Sequence, residues 1–405
     1  MRPRHRPFPG GSAAPAHVAG RRPHVLVARQ DSLGDVLLAG PAVRAVAAGA
    51  GRVTLRCGPR GRAAAELLPG VDEVLVQEAA WIDAEPAPLR REAVLAFVDE
   101  LTRRRVDQAV ILTSFHQSPL PLALLLRMAG VGTIGAICED YPGSLLDVRH
   151  RIADGALHEV ERALSLAAAM GYRLPPGDDA RLAIRQLADR TSSAPLGGPP
   201  EASLSRSQGG ALGLSTGVDL GVPGAASGYV VVHPGASVPA RAWAPERHAA
   251  LVEALARRGW AVAVTGAAAE RALTARVAGA RDGVVDVGGR LSVAGLARLL
   301  ARAAAVVVGN TGPAHLAAAV GTPVVSLFAA TVPEARWRPW GVPHVLLGDQ
   351  GAPCAGSRAR ACPLPGHPCL TQVTVEQVLD ALDRLLGRTA APEPPGRQAK
   401  GVAAR

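Results

Sequence analysis

Residues 24–30 read HVLVARQ, a short and nearly all-apolar run of the kind that becomes a buried parallel strand. A polar loop, DSLGD, follows. Residues 36–48 then carry apolar side chains at helical spacing, and Pro41 inside that pattern should kink the helix or restart it as a second one. The same grammar repeats downstream. Strands are expected at 52–58, 73–77 and 107–113 and in GTIGAI, with helices in REAVLAFVDELTRRR, over Leu120–Met128 and over 158–170. Alternation of this kind implies a doubly wound α/β domain.

Between 191 and 228 Ser, Gly and Pro dominate, and such a stretch cannot bury enough apolar surface to order itself. The pattern then restarts. Strands are expected in YVVVHPG, WAVAVTG, GVVDVGG, AAVVVGN and TPVVSLF, with helices over 245–258, 268–278, 292–302 and 313–320. A loop from 329 to 370 and a helix over 375–386 complete the ordered part. The expected organisation is a disordered leader (1–22), an α/β domain (23–190), a linker (191–228), a second α/β domain (229–387) and a disordered tail (388–405). Two doubly wound domains would face each other across a cleft.

Composition narrows the function classes. With 48% apolar but only 3% aromatic residues, the cores must be built from Ala, Val and Leu, which favours helices packed on buried strands. The formal charge of +10 raises nucleic acid or an anionic surface as a partner. Basic residues crowd the two ends, however, at Arg2, Arg4, Arg6, Arg21 and Arg22 and again at Arg397, Lys400 and Arg405. Lys400 is the only lysine and no aromatic residues interleave with the arginines, so no stacking groove for nucleic acid is expected. An anionic substrate or a membrane-attached acceptor remains compatible with the charge. The opening residues lack the apolar run of a secretory signal, and no uncharged apolar stretch is long enough to cross a bilayer. A cytoplasmic protein is expected, with peripheral contact at the inner membrane face left open. Five cysteines, an odd number, fit a reducing compartment better than a disulfide framework.

Four segments carry candidate chemistry. In DSLGD, at the carboxyl end of the first strand, Gly34 permits a tight turn and close backbone approach, and Asp35 stands near the helix start facing the cleft. An ordinary N-cap is the competing reading of Asp31 or Asp35. In HPGASVPARAW, Ser237 and Arg241 offer a hydroxyl and a fixed positive charge suited to a diphosphate, although a plain strand-to-helix loop is equally open. In VTGAAAE, Glu270 has the two acceptor oxygens that match a ribose diol, or it serves the helix dipole. In GNTGPAHLAAAV, Asn310, Thr311 and Gly312 precede a helix opened by Pro313, which makes an anion-binding start. His315 in its first turn is either a proton donor or a packing histidine.

Taken together, DSLGDVLLAGPAVRA, the PGAS…W segment, the Gly-plus-Glu270 segment and NTGPAHLAAAVGTPVVSLF resemble glycosyltransferase family 9, the heptosyltransferase family of lipopolysaccharide core assembly, from about residue 24 to 386. The resemblance implies a GT-B fold that binds the nucleotide sugar mainly on the C-terminal domain and the acceptor on the N-terminal one. It makes Asp35 the general base of an inverting transfer, with Ser32 and Gly34 on the acceptor side. Ser237, Arg241, Glu270, Asn310, Thr311, Gly312 and His315 become donor-site residues, with Arg241 on the phosphates and Glu270 on the ribose. It requires no cofactor and no metal, since backbone amides and Arg241 supply the charge. The implied partners are a nucleoside-diphosphate sugar, ADP-heptose first, and a cell-envelope glycan or glycolipid acceptor. Two positions depart from the family pattern: Asn310 stands where Asp is common and Arg241 where Lys is usual. A nucleotide-sugar epimerase and a non-catalytic nucleotide-binding module are the alternatives. In the loop holding Cys354, Cys362, His367 and Cys369, separations of eight and seven positions between the cysteines match no common structural-zinc spacing, which leaves a Pro-stiffened loop near the cleft as the preferred reading. Arg336, Trp337 and Arg338 could meet phosphates or acceptor, or pack on the surface.

Overall fold

The computed structural model describes residues 21–83, 85–152, 157–185 and 228–387. The expected leader, linker and tail lie outside the described residues, except at Arg21, Arg22 and Gly228. Arg21 is tied to the fold through Asp107, with Nη2 2.9 Å from a carboxylate oxygen.

Six parallel strands form the first sheet: β1 (His24–Arg29), β2 (Arg52–Cys57), β3 (Glu73–Val76), β4 (Gln108–Leu112), β5 (Thr133–Ile137) and β6 (Val148–His150), in the order β3-β2-β1-β4-β5-β6. The second sheet repeats this topology with β7 (Tyr229–His233), β8 (Ala261–Val264), β9 (Val284–Asp286), β10 (Ala305–Gly309), β11 (Val324–Leu327) and β12 (His344–Leu347), in the order β12-β11-β10-β7-β8-β9. The central strands β1, β4, β7 and β10 are apolar almost throughout because helices cover both faces of each sheet. Strand order reverses between β1 and β4 and again between β7 and β10. Both reversals open crevices at the carboxyl ends of the strands, the default ligand position in such sheets.

The predicted helix over 36–48 is two helices, Leu33–Leu38 and Gly40–Gly49, broken at Ala39 with Pro41 at the second position of the latter. Pro41 lacks an N–H, which costs nothing in a first turn and much in a helix interior, so the chain restarts there. The expected loop over 329–370 needs correction. It contains β12, paired in parallel with β11, and two short helices, Glu334–Trp337 and Pro368–Thr371. β6 was likewise unread. Both are edge strands of three or four half-buried residues, too short and too mixed to show a period.

The domains meet helix to helix. A Cβ on Gly34 would lie 2.8 Å from His315 Cδ2 and 3.3 Å from Gly312 Cα, and one on Gly312 would lie 2.8 Å from Leu33 Cδ2. Helix Leu33–Leu38 can therefore approach helix Gly312–Ala319 this closely only because both positions lack a side chain. Leu38, Val160, Leu182, Ala318 and Ala319 close the contact as a buried apolar group shared by the two domains.

Candidate functional site

At the first reversal, β1 delivers a charged side chain into the crevice. Arg29, with only 2% of its side chain exposed, contacts Asp31 (2.9 Å), Asp35 (3.1 Å) and Glu159 (3.1 Å), and donates to Ser114 Oγ at 2.8 Å. A buried guanidinium is tolerable only when its charge is compensated, and here three carboxylates surround it, with Nη1 and Nη2 hydrogen-bonded and Nε left with the Asp31 ion pair alone. Ser114 Oγ in turn donates to Asp31 at 3.2 Å, and the Gln117 side-chain amide donates to the other Asp31 oxygen.

Asp35 is the third residue of its helix. Its Oδ2 accepts from Ser32 Oγ at 2.7 Å and from the Ser32 backbone N–H at 3.4 Å, while Oδ1 accepts from Arg29 Nη2 and, at 3.3 Å, from Trp337 Nε1. Ser32, rather than either aspartate, is the N-cap residue. Capping and cleft-facing are not alternatives here, since one carboxylate oxygen serves each. Burial alone would raise the Asp35 pKa, but Arg29, Ser32, His315 and Trp337 outweigh it and hold the carboxyl below its ordinary value. Asp31 goes the other way, raised by burial and by the Asp35 charge against the pull of Arg29. At neutral pH Asp35 is therefore ionised and available to accept a proton.

Across the cleft, the second reversal gathers the C-terminal candidates. Arg241 ends a single 3-10 turn after β7, Asn310 and Thr311 follow β10, and His315 is buried in the first turn of Gly312–Ala319. Arg241 Nε, Asn310 Nδ2, Thr311 Oγ1 and His315 Nδ1 are buried without a protein hydrogen-bond partner. Thr331 Oγ1, in the loop after β11 and not singled out by sequence reasoning, is likewise buried without a partner. Each such group costs free energy unless something else satisfies it, and a cluster of them at a strand-order reversal marks a place for a polar ligand. Burial depresses the His315 pKa to about 4 against the attraction of Asp35, so the ring is neutral at pH 7 and can both donate and accept. Burial lowers the Arg241 pKa, Asp35 pulls it back up as an attracting charge, and Arg358 adds to the lowering as a repelling one.

Glu270 and the turn after β7 come together as well. The Glu270 carboxylate lies flush on the backbone of Gly235, where any side chain would collide with it, and Oε2 accepts the Ala267 N–H at 2.7 Å. Ser237 is exposed on the same turn, whereas Gly34, expected on the acceptor side, has its free face turned to His315 and Gly312. The loop from Cys354 to Cys369 buttresses the Arg241 turn: Ala240 N–H donates to Arg360 O at 2.9 Å, and His367 Nε2 lies 3.0 Å from Ala240 O. Cys354 and Cys369 are buried in the C-terminal core.

Sequence reasoning missed Arg29, Ser114 and Glu159. A single Arg inside an otherwise apolar strand was a usable signal, because such a charge demands a partner. Glu159 reads locally as a helix-start acid, and nothing nearby in sequence points to its partner 130 positions away.

Residues 94–367 match the family model for glycosyltransferase family 9 (heptosyltransferase). Lipopolysaccharide heptosyltransferase 1 of Pseudomonas aeruginosa is 30% identical over 267 residues, a match covering 64% of this chain and 64% of that protein, just short of two thirds of its length. Among solved structures, a family 9 glycosyl transferase from Veillonella parvula superposes with a TM-score of 0.64 at 15% identity, covering 91% of this chain and 98% of that one. An E. coli heptosyltransferase solved with ADP-2-deoxy-2-fluoro heptose superposes at 0.62 with 23% identity, covering 89% and 99%. The two repeated sheets and these superpositions give the fold as GT-B type. With more than half of its length matched by the family model, the chain belongs to glycosyltransferase family 9.

Proposed function

We propose that this chain is an inverting glycosyltransferase that carries a heptose or similar sugar from a nucleoside diphosphate, ADP-heptose first, to a lipopolysaccharide-type glycan acceptor. One observation carries the reading: the helix that bears the ionised Asp35 packs directly on the start of Gly312–Ala319, where Asn310, Thr311 and His315 hold buried polar atoms without a protein partner. In this reading Asp35 takes the proton of an acceptor hydroxyl as its oxygen attacks the anomeric carbon, and the nucleoside diphosphate leaves from the opposite face. Charge gathers on the leaving phosphate. Arg241 and the backbone N–H groups at the start of Gly312–Ala319 would meet that charge, and Thr311, Asn310 and His315 would orient the diphosphate. Glu270, with a second oxygen beside Gly235, suits a ribose diol.

The E. coli relative solved with an ADP-sugar analogue supports an adenine nucleotide as the donor base. The epimerase alternative is not favoured, because the family model and the curated relative are heptosyltransferases. No helix among the described residues is long and apolar enough to cross a membrane. In this reading a glycolipid acceptor is met by peripheral contact at the inner face. Fixed positive charge makes a metal unnecessary in this scheme.

A thermal-shift screen against ADP, GDP, UDP and their sugar conjugates, run with and without EDTA, tests the donor site. Selective stabilisation by adenine nucleotides, unchanged by EDTA, is expected. No shift with any nucleotide would remove the reading, and a shift abolished by EDTA would bring in a metal. Arg241→Ala should weaken ADP binding by about 1.5–3 kcal/mol, the range for a hydrogen bond to a charged group. Calorimetry showing wild-type affinity would move the diphosphate elsewhere.

A further inference from the structure

Asp35 belongs to the N-terminal domain, but one of its hydrogen bonds comes from the other domain. Trp337 Nε1 donates to Asp35 Oδ1 at 3.3 Å, across 302 positions of sequence. The segment that delivers the indole is anchored to the N-terminal domain on both sides. Before it, Arg336 lies 3.9 Å from Glu159 Oε1, with its guanidinium 4.3 Å over the Phe115 ring. After it, His158 Nε2 lies 3.0 Å from Arg338 O, and the His158 ring stacks on Trp340 at 4.5 Å. His158 Nδ1 accepts the Val160 N–H at 3.2 Å, so the neutral ring carries its proton on Nε2 and donates it to Arg338 O. Trp340 Nε1 completes the clasp by donating to Ala180 O at 2.9 Å.

We propose that Trp337 is a positioning residue for the Asp35 carboxylate, delivered by the C-terminal domain, so that the base is correctly oriented only while the two domains are together. The division of contacts supports this. Oδ2 is held by Ser32 and Oδ1 by Arg29, all within one domain, and Trp337 supplies the only bond to Asp35 that domain separation would remove among the hydrogen bonds of the described residues. The donor chemistry fits too. A neutral indole N–H fixes an orientation without adding positive charge, whereas a second cation beside Arg29 would drain the carboxylate of basicity.

This inference rests on the reading of Asp35 as the base, and the test separates the two. The full chain would be assayed with ADP-heptose and a heptose-free lipopolysaccharide core acceptor. Trp337→Phe keeps an aromatic ring against Phe115 and the shared apolar group and removes the N–H. It should lower kcat roughly ten- to a hundred-fold, the equivalent of one hydrogen bond to a charged group, with KM for ADP-heptose changed less than about twofold. The acid limb of kcat/KM should move to higher pH, because a donor that favoured the ionised carboxyl is gone. The other charged or titratable groups facing Asp35 are unaltered by the substitution: Arg29 on β1, Asp31 in the following loop, His116 beyond β4, Arg241 beyond β7 and His315 on its helix. An unchanged kcat and acid limb in Trp337→Phe, beside an inactive Asp35→Asn, would overturn this inference and leave the base reading standing. A fully active Asp35→Asn would remove both. Should Trp337→Phe fail to fold, a benzothiophene isostere at 337 removes only the donor and is read by the same two criteria.

Discussion

Asp35→Asn is expected to lower kcat by about 10²–10⁴-fold, the usual contribution of a general base, while leaving ADP affinity close to that of the wild type. The amide matches the carboxylate in shape, and with its oxygen on the Ser32 side it still accepts from Ser32, so the capped helix should persist, while its NH2 would face the Arg29 and Trp337 donors and forgo their bonds. Arg29 would remain satisfied by Asp31, Glu159 and Ser114. What is lost is the ability to take a proton, together with the Oδ1 acceptor that Arg29 and Trp337 share. Because Arg29, Ser32, His315 and Trp337 hold the Asp35 carboxyl below its ordinary value, the wild-type acid limb of kcat/KM should also lie low. Initial rates across pH, beside calorimetry with ADP, decide the matter. A variant that transfers sugar at the wild-type rate would remove Asp35 from the chemistry.

Stability should fall steeply as the pH drops from about 6.5 towards 4, through the histidines rather than the carboxylates. His158 and His248 are driven by burial to about 3, and His233 and His315 to about 4, from an ordinary 6.5. In the unfolded chain each of these rings binds a proton below its ordinary value, and in the folded chain it does not. The unfolded state therefore carries more protons through that window, and stability rises with pH across it. Above the window both states hold the ring neutral and the contribution is constant. Asp35, with its lowered pKa, adds to the loss at the acid end, whereas Asp31, with its raised pKa, opposes it. A melting temperature measured in steps from pH 8 to 4 should be level at first and then decline. An equal melting temperature at pH 5 and pH 8 would show that the buried rings titrate freely.

Much of this molecule is legible in one dimension. The helix Leu120–Met128 and the buried strands β1, β4, β7 and β10 follow directly from apolar spacing, because the side-chain period that buries one face is written locally. The turn residues that carry Asp35, Arg241, Glu270 and Thr311 could be named for the same reason, since a Gly or Pro at a strand's end is a local instruction. Edge strands β6 and β12 escaped because three or four half-buried residues show no period.

The site itself was decided in three dimensions. Nothing around Arg29 indicates that it divides its charge among Asp31, Asp35 and Glu159, and nothing around Trp337 indicates that its N–H ends on Asp35. By itself the sequence determined two doubly wound sheets and the turns at their reversals, since each rests on spacing between near neighbours, and its four motifs carried the resemblance to the family. Only the tertiary structure decided which charges are shared and which domain completes the base, because electrostatic and hydrogen-bond energies depend on distances that chain separation does not encode.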